Sequence, residues 1–135
     1  MVDRGGQCAS PPRLLLVDDD DAFSQTISAL LTADGHFQVV GRARNGIEAI
    51  DLAQRLHHAI LMDIEMPIMD GVEATRRILE FLPLARIVAV SGFDYSERAL
   101  EARLAGAYDY VRKGRVEADI VEALLTATRT RPPSS

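Results

Sequence analysis

The sequence predicts an α/β fold, a parallel sheet of five strands covered by helices on both faces. Three observations carry this. Five short apolar runs alternate with five stretches of helical apolar spacing. The runs are apolar almost throughout, as in strands buried on both faces. The connections are short, so each strand–helix unit leads into the next by a right-handed crossover.

The elements follow in order. Residues 13–17 (RLLLV) are expected as the first strand, ending in acids. Residues 22–33 form the first helix, with Phe23, Ile27, Leu30 and Leu31 inward. The Asp-Gly-His at 34–36 breaks it, and 37–41 (FQVVG) is the second strand. Asn45 caps a helix over 46–56 with Ala49, Leu52, Ala53 and Leu56 on one face. Residues 59–63 (AILMD) are the third strand. The third helix, 70–82, turns Val72, Thr75, Leu79 and Leu82 inward and stops at Pro83. Residues 87–90 (IVAV) are the fourth strand, before Ser91 and Gly92. A helix over 95–105 closes at Gly106, and 108–111 (YDYV) is the fifth strand. The last helix, 116–129, has Ile120, Val121, Leu124 and Leu125 as its apolar face. Residues 1–12, with two Gly and two Pro, read as a disordered lead-in, and 130–135 as a tail or linker stump around one domain at 13–129.

Composition narrows the function. With 20 acidic and 15 basic side chains, the net charge of −5 argues against this domain binding nucleic acid by itself, because duplex binding neutralises phosphates with Lys and Arg. One cysteine, Cys8, excludes an internal disulfide and a Cys-based zinc site. No apolar run reaches the roughly 18 residues of a membrane span, and Met1 to Gly6 is no signal sequence. A cytoplasmic protein is expected, with no membrane partner. Of the 15 basic residues, 14 are Arg and one is Lys113.

Sites in such sheets lie beyond the carboxyl ends of the strands. Strand one ends in Asp18 and Asp19, strand three in Asp63 and strand four in Ser91, and strand five leads to Lys113. Carboxylates converging on one edge call for a cation, and an all-oxygen donor set suits a hard ion such as Mg²⁺. An ammonium and a hydroxyl beside them are what a phosphoryl group in transfer requires. Each residue also has a plainer reading. Asp20 or Asp21 can cap a helix, Asp63 and Ser91 can be turn residues, Lys113 a surface charge and Tyr110 a half-buried strand aromatic. Their coincidence at strand ends favours the shared site.

The segment 61–71, LMDIEMPIMDG, resembles the phosphoacceptor stretch of the receiver domains of two-component response regulators. The resemblance covers roughly 13–129. It implies a flavodoxin-like (βα)5 three-layer sandwich with sheet order 2-1-3-4-5. It further implies Asp63 as phosphoacceptor, with Asp18, Asp19, Asp63 and the backbone carbonyl of Glu65 as ligands of Mg²⁺. Ser91 would be the switch hydroxyl that bonds the phosphoryl group, Lys113 the cation that pairs with it, and Tyr110 the aromatic that changes rotamer. The segments 37–41 (FQVVG) and 45–49 (NGIEA) look like the subfamily with LuxR-type helix-turn-helix output. The family often has Pro after the lysine, where this chain has Gly114. A non-proline cis bond there would cost about 2.5–4 kcal/mol, so that loop geometry does not carry over. The acids Asp20 and Asp21, where the subfamily often has His-Pro, and the Glu65 carboxylate, two residues after the acceptor, are expected to raise Mg²⁺ affinity and to disfavour bulky anionic donors.

By this resemblance the partner is a sensor histidine kinase. Phosphorylation would switch the surface of helix four, strand five and helix five, with Phe93, Arg98, Arg112 and Arg115 as contacts. That surface would control homodimerisation or partner binding. Transcription regulation is the expected output, DNA being reached only through an output domain absent from these residues. No catalysis beyond the chain's own phosphorylation and dephosphorylation is expected. Two readings compete. One is a receiver-like scaffold that works without phosphorylation. The other is a haloacid-dehalogenase-like phosphatase, which the Asp18-Asp19-Asp20 run fits but which Ala22 and the missing late acidic pair disfavour.

Overall fold

The computed structural model describes residues 11–33, 35–55, 59–92, 96–113 and 117–129. Strands and helices alternate: β1 (Arg13–Val17), α1 (Asp21–Ala33), β2 (Gln38–Ala43), α2 (Gly46–Ala53), β3 (Ala59–Asp63), α3 (Gly71–Phe81), β4 (Arg86–Ser91), α4 (Ser96–Ala105), β5 (Asp109–Arg112) and α5 (Glu117–Arg129). All strand pairs are parallel, and the sheet runs β2-β1-β3-β4-β5. This is the flavodoxin-like three-layer architecture expected.

The pleat explains why the strands are apolar throughout. Successive side chains face opposite layers. On one face Leu14, Leu16, Leu61, Val88 and Val90 pack with Ile27 and Leu31 of α1 and with Ile120 and Leu124 of α5. On the other, Leu15, Val17, Ile60, Met62 and Ile87 meet Ala49 and Ala53 of α2 and Ala74 and Ile78 of α3. A smaller cluster of Ile64, Val72, Ala89, Ala102 and Ala107 sits beneath α4, with Tyr110 against it.

Local chemistry sets the helix ends. The Asn45 side chain caps α2 by accepting from the Glu48 amide at 3.0 Å, and Asp70 caps α3 through the Glu73 amide at 3.0 Å. Gly106, at φ +113°, closes α4 where a side chain would be strained.

Three expectations need correction. Leu30 is 42 % exposed, because Ser24, Ile27 and Leu31 already make the inward stripe and three residues' rotation from Ile27 swings Leu30 to its flank. In α3 the fully buried positions include Ala74 and Ile78, while Leu79 and Leu82 are half-buried, because the helix packs between α2 and α4 as well as on the sheet. The second strand starts one residue later and ends two residues later than its apolar pattern, at Gln38–Ala43. Its register shifts between Leu14 and Leu15, so Arg42 pairs with Leu16 and Ala43 with Val17. Leu56, Phe93, Gly114, Arg115, the lead-in at 1–10 and the tail at 130–135 lie outside the described residues.

Candidate functional site

The site grows from the carboxyl ends of β1, β3 and β4. At the end of β1, the Asp18 amide donates to the Ala43 carbonyl at 2.9 Å, which ties the strand end to β2. The side chain of Asp18 is fully buried. Its Oδ1 accepts from the Asp20 amide at 2.8 Å, folding the chain back toward α1. Asp20 in turn accepts from the Phe23 amide at 3.2 Å and caps that helix.

The four consecutive aspartates therefore have different tasks. Asp18 and Asp19 face the site, Asp20 caps α1, and Asp21 points to β2. There Arg42 (2.7 Å) and Arg44 (2.6 Å) both pair with Asp21 Oδ1. Those guanidiniums hold the Asp21 carboxyl below its usual pKa. The charge expected from Asp21 toward a bound cation is thus offset by two arginines.

Asp63 ends β3 and is 2 % exposed. Its Oδ1 accepts from the Glu65 amide at 3.3 Å. Burial pushes its pKa up to about 7, with the charge of Asp18 adding to the rise and Lys113 opposing it. The Gly at 71 is required by close approach: a Cβ there would lie 2.1 Å from the Asp63 carbonyl oxygen. Between them, Ile68 takes a positive φ of 73°, and the Met69 amide donates to the Pro67 carbonyl at 2.8 Å in a tight γ-turn.

Lys113 enters from the end of β5, its amide donating to the Ser91 carbonyl at 2.7 Å. The ammonium Nζ lies 2.7 Å from Asp18 Oδ2 and 3.5 Å from Asp63 Oδ2, and 4.6 Å from the centre of the Phe23 ring. Burial works against its charge, but Asp18 and Asp63 outweigh that and keep its pKa above the usual lysine value. Asp18 Oδ2 is close to the ammonium yet aligned with no hydrogen-bond donor among the described residues.

Oxygen atoms of Asp18, Asp19 and Asp63 lie within 4.8 Å of one another. Three carboxylates facing one ammonium leave an excess of negative charge, and the donors are all hard oxygens. The arrangement therefore fits a divalent cation of the Mg²⁺ class.

Ser91 is fully buried at the end of β4. Its hydroxyl donates to Glu65 Oε1 at 2.5 Å. Glu65 Oε2 is 3.8 Å from Arg98 Nε on α4, and Arg98 also binds Asp70 at 3.2 Å and Glu101. A polar chain thus runs from Ser91 through Glu65 to α4. Tyr110 stands apart from the carboxylates, half-buried on β5 opposite Ala89.

The structure brings together Asp18, Asp19, Asp63 and Lys113, and sets Ser91 one strand away. Sequence reasoning placed the Glu65 carboxylate near the site but not on the Ser91 hydroxyl, and it passed over Arg42 and the position of Phe23 beneath the ammonium. Arg42 stands just beyond the apolar pattern of its strand, and that placement alone could have flagged it.

The family model described as response regulator receiver domain matches residues 14–125. The transcriptional regulatory protein LiaR of Bacillus subtilis is 34 % identical over 121 residues, 89 % of this chain and 57 % of that protein. A protein-glutamate methylesterase/protein-glutamine glutaminase of Pseudomonas aeruginosa is 43 % identical over 103 residues, 75 % of this chain. This chain spans only about a quarter of the methylesterase relatives, 28 % of that one. A solved LuxR-family two-component response regulator from Aurantimonas sp. SI85-9A1 superposes with a TM-score of 0.81 at 33 % identity, covering 92 % of this chain and 91 % of that one. The expectation of a switch without further catalysis is corrected by the methylesterase match: stretches this similar belong to enzymes, so likeness to this family does not exclude one. No helix among the described residues is long and apolar enough to cross a membrane.

Proposed function

This chain belongs to the response regulator receiver family, and from that premise we propose that residues 13–129 work in the cytoplasm as a phospho-accepting switch with Asp63 as acceptor. The donor is a sensor histidine kinase. The N–P bond of its phosphohistidine breaks, the electron pair staying on the imidazole, and an O–P bond forms to the Asp63 carboxylate. Water later attacks the phosphorus of the acyl phosphate, releasing inorganic phosphate and restoring the carboxylate.

Little covalent work falls to the other side chains; positioning and charge stabilisation dominate. The observation that carries the reading is the juxtaposition of two buried carboxylates, Asp18 and Asp63, with the Lys113 ammonium at 2.7 and 3.5 Å. Lys113 sets a positive charge where the phosphoryl oxygens gather theirs. Asp18, Asp19, Asp63 and the Glu65 backbone carbonyl would hold Mg²⁺, which supplies further positive charge to those oxygens when bound. The Ser91 hydroxyl then exchanges Glu65 for a phosphoryl oxygen, and Tyr110 turns into the space released. The α4–β5–α5 surface, with Arg98 and Arg112, changes with them and governs homodimerisation or partner binding. The likeness to LiaR and to a LuxR-family regulator supports transcription regulation as the output, with DNA contacted by a separate domain.

The test is incubation with acetyl phosphate and Mg²⁺, followed by intact mass and oligomeric state. Wild type should gain one phosphoryl group and Asp63→Asn none. An unmodified wild type refutes the proposal and leaves the phosphorylation-independent scaffold. An adduct on Asp18 refutes it in favour of the phosphatase.

A further inference from the structure

We propose that Arg42, on the edge strand, is a positioning residue for the magnesium site, acting through the backbone of the β1–α1 turn. The inference rests on the reading of Asp18 and Asp19 as the residues that hold the ion. Its basis is a two-pronged grip. Arg42 Nε and Nη2 both donate to the Asp18 carbonyl, at 3.3 and 2.9 Å, while Nη1 lies 2.7 Å from Asp21 Oδ1. One planar guanidinium therefore spans the turn from Asp18, the residue after β1, to Asp21, the first residue of α1. The Asp18 amide is held by β2 as well, through Ala43.

Between those fixed points the chain must present Asp18 inward and Asp19 toward the same cavity, their oxygens close to Asp63. Like charges brought this near repel, and an exposed turn would relax by rotating the peptide that joins them. The charged fork on the Asp18 carbonyl resists that rotation, and a charge-assisted pair of bonds is well suited to do so. Arg42 is three-quarters shielded on its side chain, which limits competition from water.

Electrostatics alone predicts the opposite outcome, and this makes the inference testable. Arg42 is a cation near a cation site, so by charge alone its removal should tighten Mg²⁺ binding. If it positions the ligands, its removal should weaken binding. Arg44 is the internal control: it pairs with the same Asp21 oxygen but does not touch the Asp18 carbonyl. Lys at 42 would keep the charge and lose the planar fork.

The experiment is calorimetric titration of the metal-free protein with MgCl2, for wild type, Arg42→Ala, Arg42→Lys and Arg44→Ala. Both Arg42 variants should bind about tenfold more weakly, within the range usual for groups that orient metal ligands. Arg44→Ala should bind as wild type or tighter. Amide hydrogen exchange in the metal-free proteins gives a second readout: the Asp20 amide, bonded to Asp18 Oδ1, should lose protection in the Arg42 variants and keep it in Arg44→Ala. If Arg42→Ala misfolds, Arg42→Lys decides. Unchanged or tighter Mg²⁺ binding in folded Arg42 variants overturns this role and leaves the proposed function standing. Absence of Mg²⁺ binding in wild type overturns the magnesium site itself and this role with it.

Discussion

Replacing Asp63 by Asn should stabilise the metal-free protein while removing the proposed acceptor. Asp63 and Asp18 are buried side by side, and Lys113 is the ammonium that faces both. Burial, then the charge of Asp18, raises the Asp63 pKa from 3.8 to about 7. Above that value the native state must keep a carboxylate ionised where the unfolded chain keeps it in water. The difference amounts to at most about 4 kcal/mol near pH 8. Asn is neutral and similar in shape, and the attraction of Lys113 is already contained in that figure, so a net gain of about 2–4 kcal/mol is expected, or several degrees in Tm. The pH dependence has a definite sign. Between pH 3.8 and about 7 the native state binds more protons at Asp63 than the unfolded chain does. The contribution of Asp63 to stability is therefore fully present below 3.8 and lost as pH rises through 7. The Asp63→Asn variant lacks that slope. The chain has no Trp, so urea melts in EDTA would be followed by far-UV circular dichroism. Excess Mg²⁺ should close the gap by stabilising wild type, by about 2.7 kcal/mol at a hundred times Kd. A variant no more stable than wild type near pH 8, or a difference that does not widen with pH, refutes the reasoning.

Other perturbations follow from the same geometry. Lys113→Arg should still take up phosphate from acetyl phosphate but lose most of its coupling to oligomeric state or partner binding; normal coupling would show that any cation serves. Glu65→Ala removes the Glu65 acceptor from the Ser91 hydroxyl, and the amide resonances of Ser91 and α4 should move partway toward those of beryllofluoride-treated wild type. Unmoved resonances would disconnect Glu65 from the switch. Gly71→Ala drives a methyl group onto the Asp63 carbonyl and should cost about 1–3 kcal/mol in urea melts. Ile68→Gly should instead gain about 0.5–1 kcal/mol, because a β-branched residue at φ 73° is strained and its side chain is 81 % exposed.

The fold was legible because strands buried on both faces leave runs such as RLLLV and AILMD that admit few other readings. The acidic strand ends were legible for the same reason: a charge after such a run marks the edge where the sheet stops. What could not be read was anything that depends on register. A strand slipped by one residue turns every side chain to the opposite face. The shift between Leu14 and Leu15 decides where Arg42 points, and nothing in the residues of β2 announces it. The Ser91–Glu65 bond is similar. Its two residues lie 26 positions apart, and their meeting depends on how the turns after β3 and β4 curl toward each other. Leu30 failed differently, since helical spacing defines a stripe but not how wide the neighbours allow it to be.

The contrast between Lys113 and the 14 arginines becomes a statement about shape. Arg42 grips a carbonyl and a carboxylate together, and Arg98 spans carboxylates on three segments. Both tasks use a broad, planar, many-pronged cation at a half-exposed surface. At 113 the cation must sit 2.7 Å from one buried carboxylate, over an aromatic face at 4.6 Å, and still reach a second carboxylate at 3.5 Å. A point charge on a flexible stem meets all three demands and can lean from Asp18 toward a phosphoryl group on Asp63. A guanidinium long enough to reach would be held by whichever carboxylate it first engaged in a fork. On this argument a double variant, Lys113→Arg with Asp18→Asn, compared at equal extents of phosphorylation because Asp18 is also proposed to hold Mg²⁺, should recover part of the coupling lost in Lys113→Arg alone, because the competing fork is gone. If Asp18→Asn deepens the defect at equal phosphorylation, the lysine is needed for its reach and not for its freedom to move.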